Sequence, residues 1–206
     1  MKHVTRGFGF LEHFLAKKRL QKANNIISPE SRNGRILDIG CGWYPLFLTT
    51  TTFREKYGID QHEPNENYAD IIFIRQNIEK NPIIPFSGNF FTTITMLAVF
   101  EHIEIGALKK TLKEIYRTLN DGGDFVLTTP SRWTEPILFT MSACKLISSE
   151  EIHEHKNTYT TKEIITLLEE AGFASGLISS GTFEAGMNIW IRARKKARTP
   201  SGSNNI

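Results

Sequence analysis

From Arg35 to Pro45 the chain runs a short apolar segment, Ile36-Leu37-Asp38-Ile39, straight into Gly40-Cys41-Gly42. Apolar residues closing on a carboxylate are the pattern of a strand buried in a parallel sheet. Glycine has no Cβ, so the backbone can turn tightly there and lie against a ligand. Leu46, Phe47 and Leu48 then begin a helix expected to reach Glu55, although the Thr49–Thr52 run is poor helix material. A strand, a glycine turn and a helix start together offer backbone N–H groups to an anion such as a carboxylate. A Gly-x-Gly pair by itself is equally a tight turn with no ligand.

The next segment removes some of that ambiguity. Lys56-Tyr57-Gly58-Ile59-Asp60 reads as a second short strand ending in an acid. Asp60 follows the glycine turn by about 20 residues, where a dinucleotide-type fold places the carboxylate for a ribose hydroxyl pair. The full Gly-x-Gly-x-x-Gly pattern fails at its last position, which is Pro45. That departure counts against a nicotinamide cofactor.

Asp38-Ile39-Gly40-Cys41-Gly42 followed by Gly58-Ile59-Asp60 resembles the cofactor site of class I S-adenosylmethionine-dependent methyltransferases. Leu97-Ala98-Val99-Phe100-Glu101-His102-Ile103 resembles the hydrophobic-Glu-His-hydrophobic signature of the small-molecule branch called methyltransferase type 11. The stretch from Leu112 to Gly123 resembles that branch's helix and Gly-Gly turn before strand five. His155, Tyr159-Thr160, Glu163 and Gly172-Phe173 resemble a later run of the same branch. The likeness extends from about Arg35 to Arg192, and its motifs occur in the family's order.

Strands are expected near Ile36–Ile39, Tyr57–Ile59, Ile71–Ile74, Thr92–Leu97, Phe125–Thr128, Leu177–Ser180 and Asn188–Arg192. Helices are expected near residues 7–27, Ile105–Leu119 and Thr161–Ala171; Thr160 or Thr161 caps the last and Gly172 closes it. Alternation of this kind means an α/β fold, a doubly wound and mostly parallel sheet with helices on both faces. The resemblance adds a seventh, antiparallel strand, supplied by the Phe183–Arg194 segment. Residues 1–30 are then a helical lid segment, 31–194 the methyltransferase domain and 195–206 a disordered basic tail.

Composition narrows the partners. At 206 residues and 40% hydrophobic, the chain suits one α/β domain with a substantial core. No run of 18 apolar residues occurs, so no transmembrane segment is expected, and no signal core follows the N-terminus. Two cysteines, Cys41 and Cys144, do not suggest a disulfide framework, and a cytoplasmic protein is the simplest reading. The formal charge of +3 rests on Arg192, Arg194, Lys195, Lys196 and Arg198 near the C-terminus. Without them the body is slightly acidic, so nucleic acid is not an expected partner. Lys17, Lys18, Arg19 and Lys22 are the wet face of the first helix or a peripheral membrane contact.

The resemblance implies a cofactor site of Asp38, Gly40, Cys41, Gly42, Asp60, Gln61, Asn77, Ile78 and Leu97, holding S-adenosyl-L-methionine and releasing S-adenosyl-L-homocysteine. Asn77 is expected to read the adenine amino group, having both donor and acceptor, or else to form the turn before Pro82. Trp43 is a structural aromatic or lies against the sulfonium or adenine. The catalytic candidates are His102, His155 and Glu101. An imidazole suits a general base at neutral pH, but Glu101-His102 can equally cap the next helix and line the pocket. Residues 137–147 are apolar and form either core or a cap over an acceptor with an apolar part. Glu150, Glu151, His153, Glu154 and His155 could bind a metal, yet nothing completes such a site and none is expected.

The expected function is transfer of a methyl group to a small-molecule acceptor, with O-methylation of a sugar, lipid-linked or metabolite hydroxyl favoured. A non-catalytic binding module or partner subunit built on the same fold is the alternative. A nicotinamide-dependent reductase is the least consistent.

Overall fold

The computed structural model describes residues 10–134 and 158–197. His155, Cys144, the apolar stretch 137–147 and the acid–imidazole cluster at 150–155 lie outside the described residues.

Seven strands form one sheet: β1 (Arg35–Ile39), β2 (Glu55–Asp60), β3 (Ile71–Arg75), β4 (Phe91–Leu97), β5 (Leu119–Pro130), β6 (Ile178–Phe183) and β7 (Asn188–Arg194). Their order is β3-β2-β1-β4-β5-β7-β6. The first five are parallel, and β7 runs antiparallel to both β5 and β6. The doubly wound architecture and the antiparallel seventh strand are therefore present. The strand order reverses between β1 and β4, which opens a crevice at their C-terminal ends.

Among the described residues, four α-helices cover the sheet: α1 (Phe10–Ile26), α2 (Leu46–Thr50), α3 (Ile105–Thr118) and α4 (Thr161–Ala171). One apolar cluster joins Leu108, Leu112 and Ile115 of α3 with Ile164 and Leu168 of α4 beneath one face. The other joins Ala23 of α1 with Phe47 and Leu48 of α2 beneath the opposite face. Alternate strand residues thus serve alternate layers: Leu37 and Ile39 belong to the first cluster, Ile36 to the second. Lys17 and Lys18 of α1 face solvent, while Lys22 lies 4.7 Å over the Trp190 ring. No described helix is long and apolar enough to cross a membrane.

α4 begins and ends as its sequence implies. Thr160 Oγ1 accepts from Glu163 N, Glu163 Oε2 accepts from Thr160 N, and Gly172 closes the helix at φ 118°. α2 is shorter than expected, stopping at Thr50 instead of Glu55. The Thr49 and Thr50 hydroxyls donate back to the Leu46 carbonyl, and Thr51 turns extended to donate to Asn24 Oδ1 at 2.7 Å. Threonine hydroxyls competing for backbone acceptors end the helix early.

Two further expectations change. Gly122-Gly123 is a bulge inside β5, not a turn before it: the β4 pairing jumps from Phe91–Leu119 to Thr93–Asp124. Gly122 is left-handed, and a Cβ on Gly123 would stand 2.9 Å from the Asn120 carbonyl. The basic C-terminal run is also partly interior. Arg192 and Arg194 both clasp Asp124, which is fully buried. Lys195 is 7% exposed, and its ammonium donates to Leu119 O and Asn89 Oδ1.

Candidate functional site

The C-terminal ends of β1, β2, β3 and β4 meet around one cleft. Leaving β1, Gly40 takes φ +76° and donates to the Ile59 carbonyl at 2.7 Å. Gly42, also left-handed, donates its N–H to Asp60 Oδ2 at 2.9 Å. The other carboxylate oxygen, Asp60 Oδ1, accepts from His62 N at 2.9 Å. Asp60 therefore ties the glycine turn to the loop after β2. A carboxylate has about four lone-pair directions, so two backbone bonds still leave capacity for a hydroxyl pair.

The cleft measures about 130 Å3, and its walls include Gly40, Asp60, Gln61, Asn77, Ile78 and His102. Sites for whole drug-sized ligands occupy roughly 300–1,000 Å3, so this cleft suits one end of an extended ligand. A Cβ on Gly42 would meet nothing within 4 Å. The backbone there is open to close approach by a bound group, which fits the cofactor the sequence implies.

β4 delivers the opposite wall. Ala98 has φ 56°, unusual for a residue with a side chain, and donates its N–H to Thr128 O. Backbone strain of this kind gathers at functional sites. A one-turn 3-10 helix, Phe100–His102, follows. Phe100 meets the Tyr159 ring edge-on at 5.0 Å. Glu101 is 2% exposed, and its Oε2 accepts from Thr129 Oγ1 at 3.0 Å. His102, whose N–H bonds Val99 O, reaches the cleft.

Six of the sequence-level candidates thus share one cleft: Gly40, Asp60, Gln61, Asn77, Ile78 and His102. Asp38 does not line it. Its carboxyl is buried and accepts from Thr95 Oγ1 at 2.6 Å. Burial pushes it up to about 7, the Asp60 charge adds to that, and the Thr95 hydrogen bond opposes it. Cys41 turns inward, with its Sγ 2.7 Å from the position of a Cβ on Gly58. Burial raises this thiol well above its ordinary range, ahead of the Asp38 and Asp60 charges, and its side chain packs in the cluster beneath α1 and α2. Leu97 packs against the α1–α2 cluster and is not a wall of the cleft. Glu101 supports the turn from behind. Trp43 is 52% exposed and lies edge-on to His62 at 5.3 Å.

Asn77 forms the turn: its Oδ1 accepts from Glu79 N and Lys80 N, while its Nδ2 donates to Gln61 Oε1. Sequence reading overlooked Val99, Gln76, Glu79 and Ile103, which also line the cleft. Val99 and Ile103 are apolar residues of the Glu-His signature, so that motif's spacing could have found them. Among the described residues, no group of three or more His, Cys, Asp or Glu is placed to hold a metal.

The sequence model of a family described as a methyltransferase domain matches residues 9–175. Solved structures share the fold at low identity. An S-adenosylmethionine-dependent methyltransferase from Archaeoglobus fulgidus has a TM-score of 0.67 at 16% identity, covering 90% of this chain and 98% of its own. A Thermotoga maritima S-adenosylmethionine-dependent methyltransferase scores 0.64 at 19%, covering 91% and 92%. A chain from a Haloferax volcanii complex of the Trm112 methyltransferase activator with a methyltransferase candidate scores 0.65 at 13%, covering 92% and 95%. No curated protein matches this sequence.

Proposed function

The chain belongs to the methyltransferase-domain family and takes S-adenosylmethionine as its methyl donor, and from that premise we propose that it methylates a small molecule, favouring a hydroxyl of a sugar, lipid-linked compound or metabolite. Residues 31–194 form the transferase domain in this reading, with the preceding helical segment as its cover. A cytoplasmic setting suits the buried free thiol of Cys41.

The observation that carries the donor reading is Asp60, a strand-end carboxylate facing the cleft while bonded to the glycine turn. Its remaining lone pairs take the ribose hydroxyls, and Gln61, Asn77 and Ile78 enclose the base. The bound donor supplies an electrophilic methyl on a sulfonium. What the chain contributes is alignment of acceptor, methyl and sulfur, and such orientation is worth roughly 7–11 kcal/mol. His102 is the described candidate for a base, and a base contributes about 10²–10⁴-fold where one is needed. Glu101 acts as a positioning residue through Thr129. His155 remains a second base candidate on its resemblance alone.

The test begins with calorimetric titration using S-adenosylmethionine, S-adenosylhomocysteine, NADH and NADPH. Micromolar binding of the two sulfur compounds alone supports the reading, and a methyl-transfer screen with hydroxyl and amine acceptors follows. A folded protein that binds none of them fails it. His102→Ala should slow turnover and spare donor affinity if His102 is a base; lost affinity with unchanged turnover at saturation makes it a wall. A second reading, a subunit that works with a partner, draws on the Haloferax relative's assembly with an activator. Donor binding with no turnover until a partner is added would favour it.

A further inference from the structure

Asn77 is the residue expected to recognise adenine, yet its carbonyl oxygen is already occupied. Oδ1 accepts from Glu79 N and Lys80 N, both at 3.0 Å. A carboxamide oxygen has two lone pairs, and the turn toward Pro82 uses both. The adenine amino group is a donor and needs an acceptor. Gln76 cannot pair an acceptor with a donor toward the base, since both Nε2 hydrogens are used by Asn81 O and Ile83 O. Glu79 Oε1 accepts from Glu104 N, and a carboxylate has acceptors only, with no hydrogen to offer adenine N7.

Gln61 differs from these. It directly follows Asp60 at the end of β2, is exposed at the rim and lines the same cleft. Its Oε1 accepts from Asn77 Nδ2 at 2.8 Å, which takes one lone pair and sets which way the amide plane faces. The second lone pair and the Nε2 hydrogens form an acceptor–donor pair, and Gln or Asn in that arrangement matches adenine N6 and N7.

We propose that Gln61 reads the adenine edge of the methyl donor and that Asn77 is its positioning residue. The proposal rests on the S-adenosylmethionine reading above. It makes donor specificity depend on a hydrogen bond between two side chains from adjacent strand ends. Asp60 and Gln61, consecutive in sequence, then serve ribose and base respectively.

The experiment titrates the full chain with S-adenosylhomocysteine and with its hypoxanthine analogue, in which a carbonyl replaces the 6-amino group. Wild type should bind the adenine compound at least about tenfold more tightly. Gln61→Leu should lose about that factor for S-adenosylhomocysteine and bind the two compounds nearly alike. Asn77→Asp keeps acceptors for the turn but turns the Gln61 amide around, so discrimination should fall with an unchanged melting temperature. Wild-type discrimination surviving in Gln61→Leu overturns the proposal, as does wild type that binds both compounds equally. Binding of neither compound by folded wild type would fail the donor reading itself, a different result from binding without discrimination.

Discussion

Val99 occupies the space that a side chain on Gly40 would need: its Cγ2 lies 2.3 Å from the position of a Cβ there. Gly42, two residues on, is left-handed too but has nothing within 4 Å. Left-handed backbone costs a residue with a Cβ roughly 1–2 kcal/mol, and overpacking adds typically 1–3 kcal/mol. Gly40→Ala should therefore destabilise by about 2–5 kcal/mol, and Gly42→Ala by the strain alone. Urea unfolding of the two variants measures the gap, and equal losses would mean that Val99 yields freely.

Asp38 predicts a pH dependence of known sign. Its carboxyl has a reference value of 3.8 and is pushed up to about 7 in the fold, mainly by burial. The folded state therefore holds the proton more tightly than the unfolded chain. Wild type should lose stability as pH rises from about 4 to about 7 and then level off. Asp38→Asn keeps an acceptor for Thr95 and has no charge to bury. Its advantage over wild type should grow across that window, reaching at most a few kcal/mol. Parallel stability curves for the two proteins between pH 4 and 8 would refute the assignment.

These two sites show what sequence could and could not reveal. The two glycines, Asp38 and Asp60 were legible because strand ends and left-handed turns restrict residue type. The α4 cap was legible because Thr160 and Glu163 are three residues apart. Asn77 and Cys41 were placed in the right loops, but the direction of their side chains was hidden. Packing against Gly58 turns Cys41 inward, and the N–H groups of Glu79 and Lys80 claim the Asn77 oxygen. Early termination of α2 depends on Asn24, a partner 27 residues away from Thr51. Local pattern carries no information about partners at such a distance.

Thr129 and Glu101 link the end of β5 to the turn that carries His102. Thr129→Val preserves shape but removes the hydroxyl, leaving a buried carboxylate oxygen without that donor. The expected loss is about 1–3 kcal/mol, with weaker S-adenosylhomocysteine binding because the turn borders the cleft. Thr129→Ser should restore both. Denaturant unfolding and calorimetry on the pair check this; a valine variant that binds like the serine one would show the turn to be held by Phe100 and Tyr159 instead.

Asp124 makes the strongest demand on the far end of the sheet. Arg192 and Arg194 each reach both of its oxygens, and Ser28 and Ser31 hydroxyls also bond it. Burial by itself would raise this carboxyl, but the hydrogen bonds from Arg194 and Arg192 hold it below its ordinary value. Its contribution is therefore present above pH 4 and fades as pH falls through the depressed folded value. Asp124→Ala leaves two guanidinium groups without their shared anion, and breaking buried pairs costs about 3–5 kcal/mol. Arg194→Gln should cost much less, because its side chain is 42% exposed and Arg192 keeps its own bonds. Urea unfolding at pH 7 should rank wild type, Arg194→Gln and Asp124→Ala in falling order of stability. If Asp124→Ala unfolds with Arg194→Gln, the cluster neutralises a buried acid without holding β7 to the linker after α1.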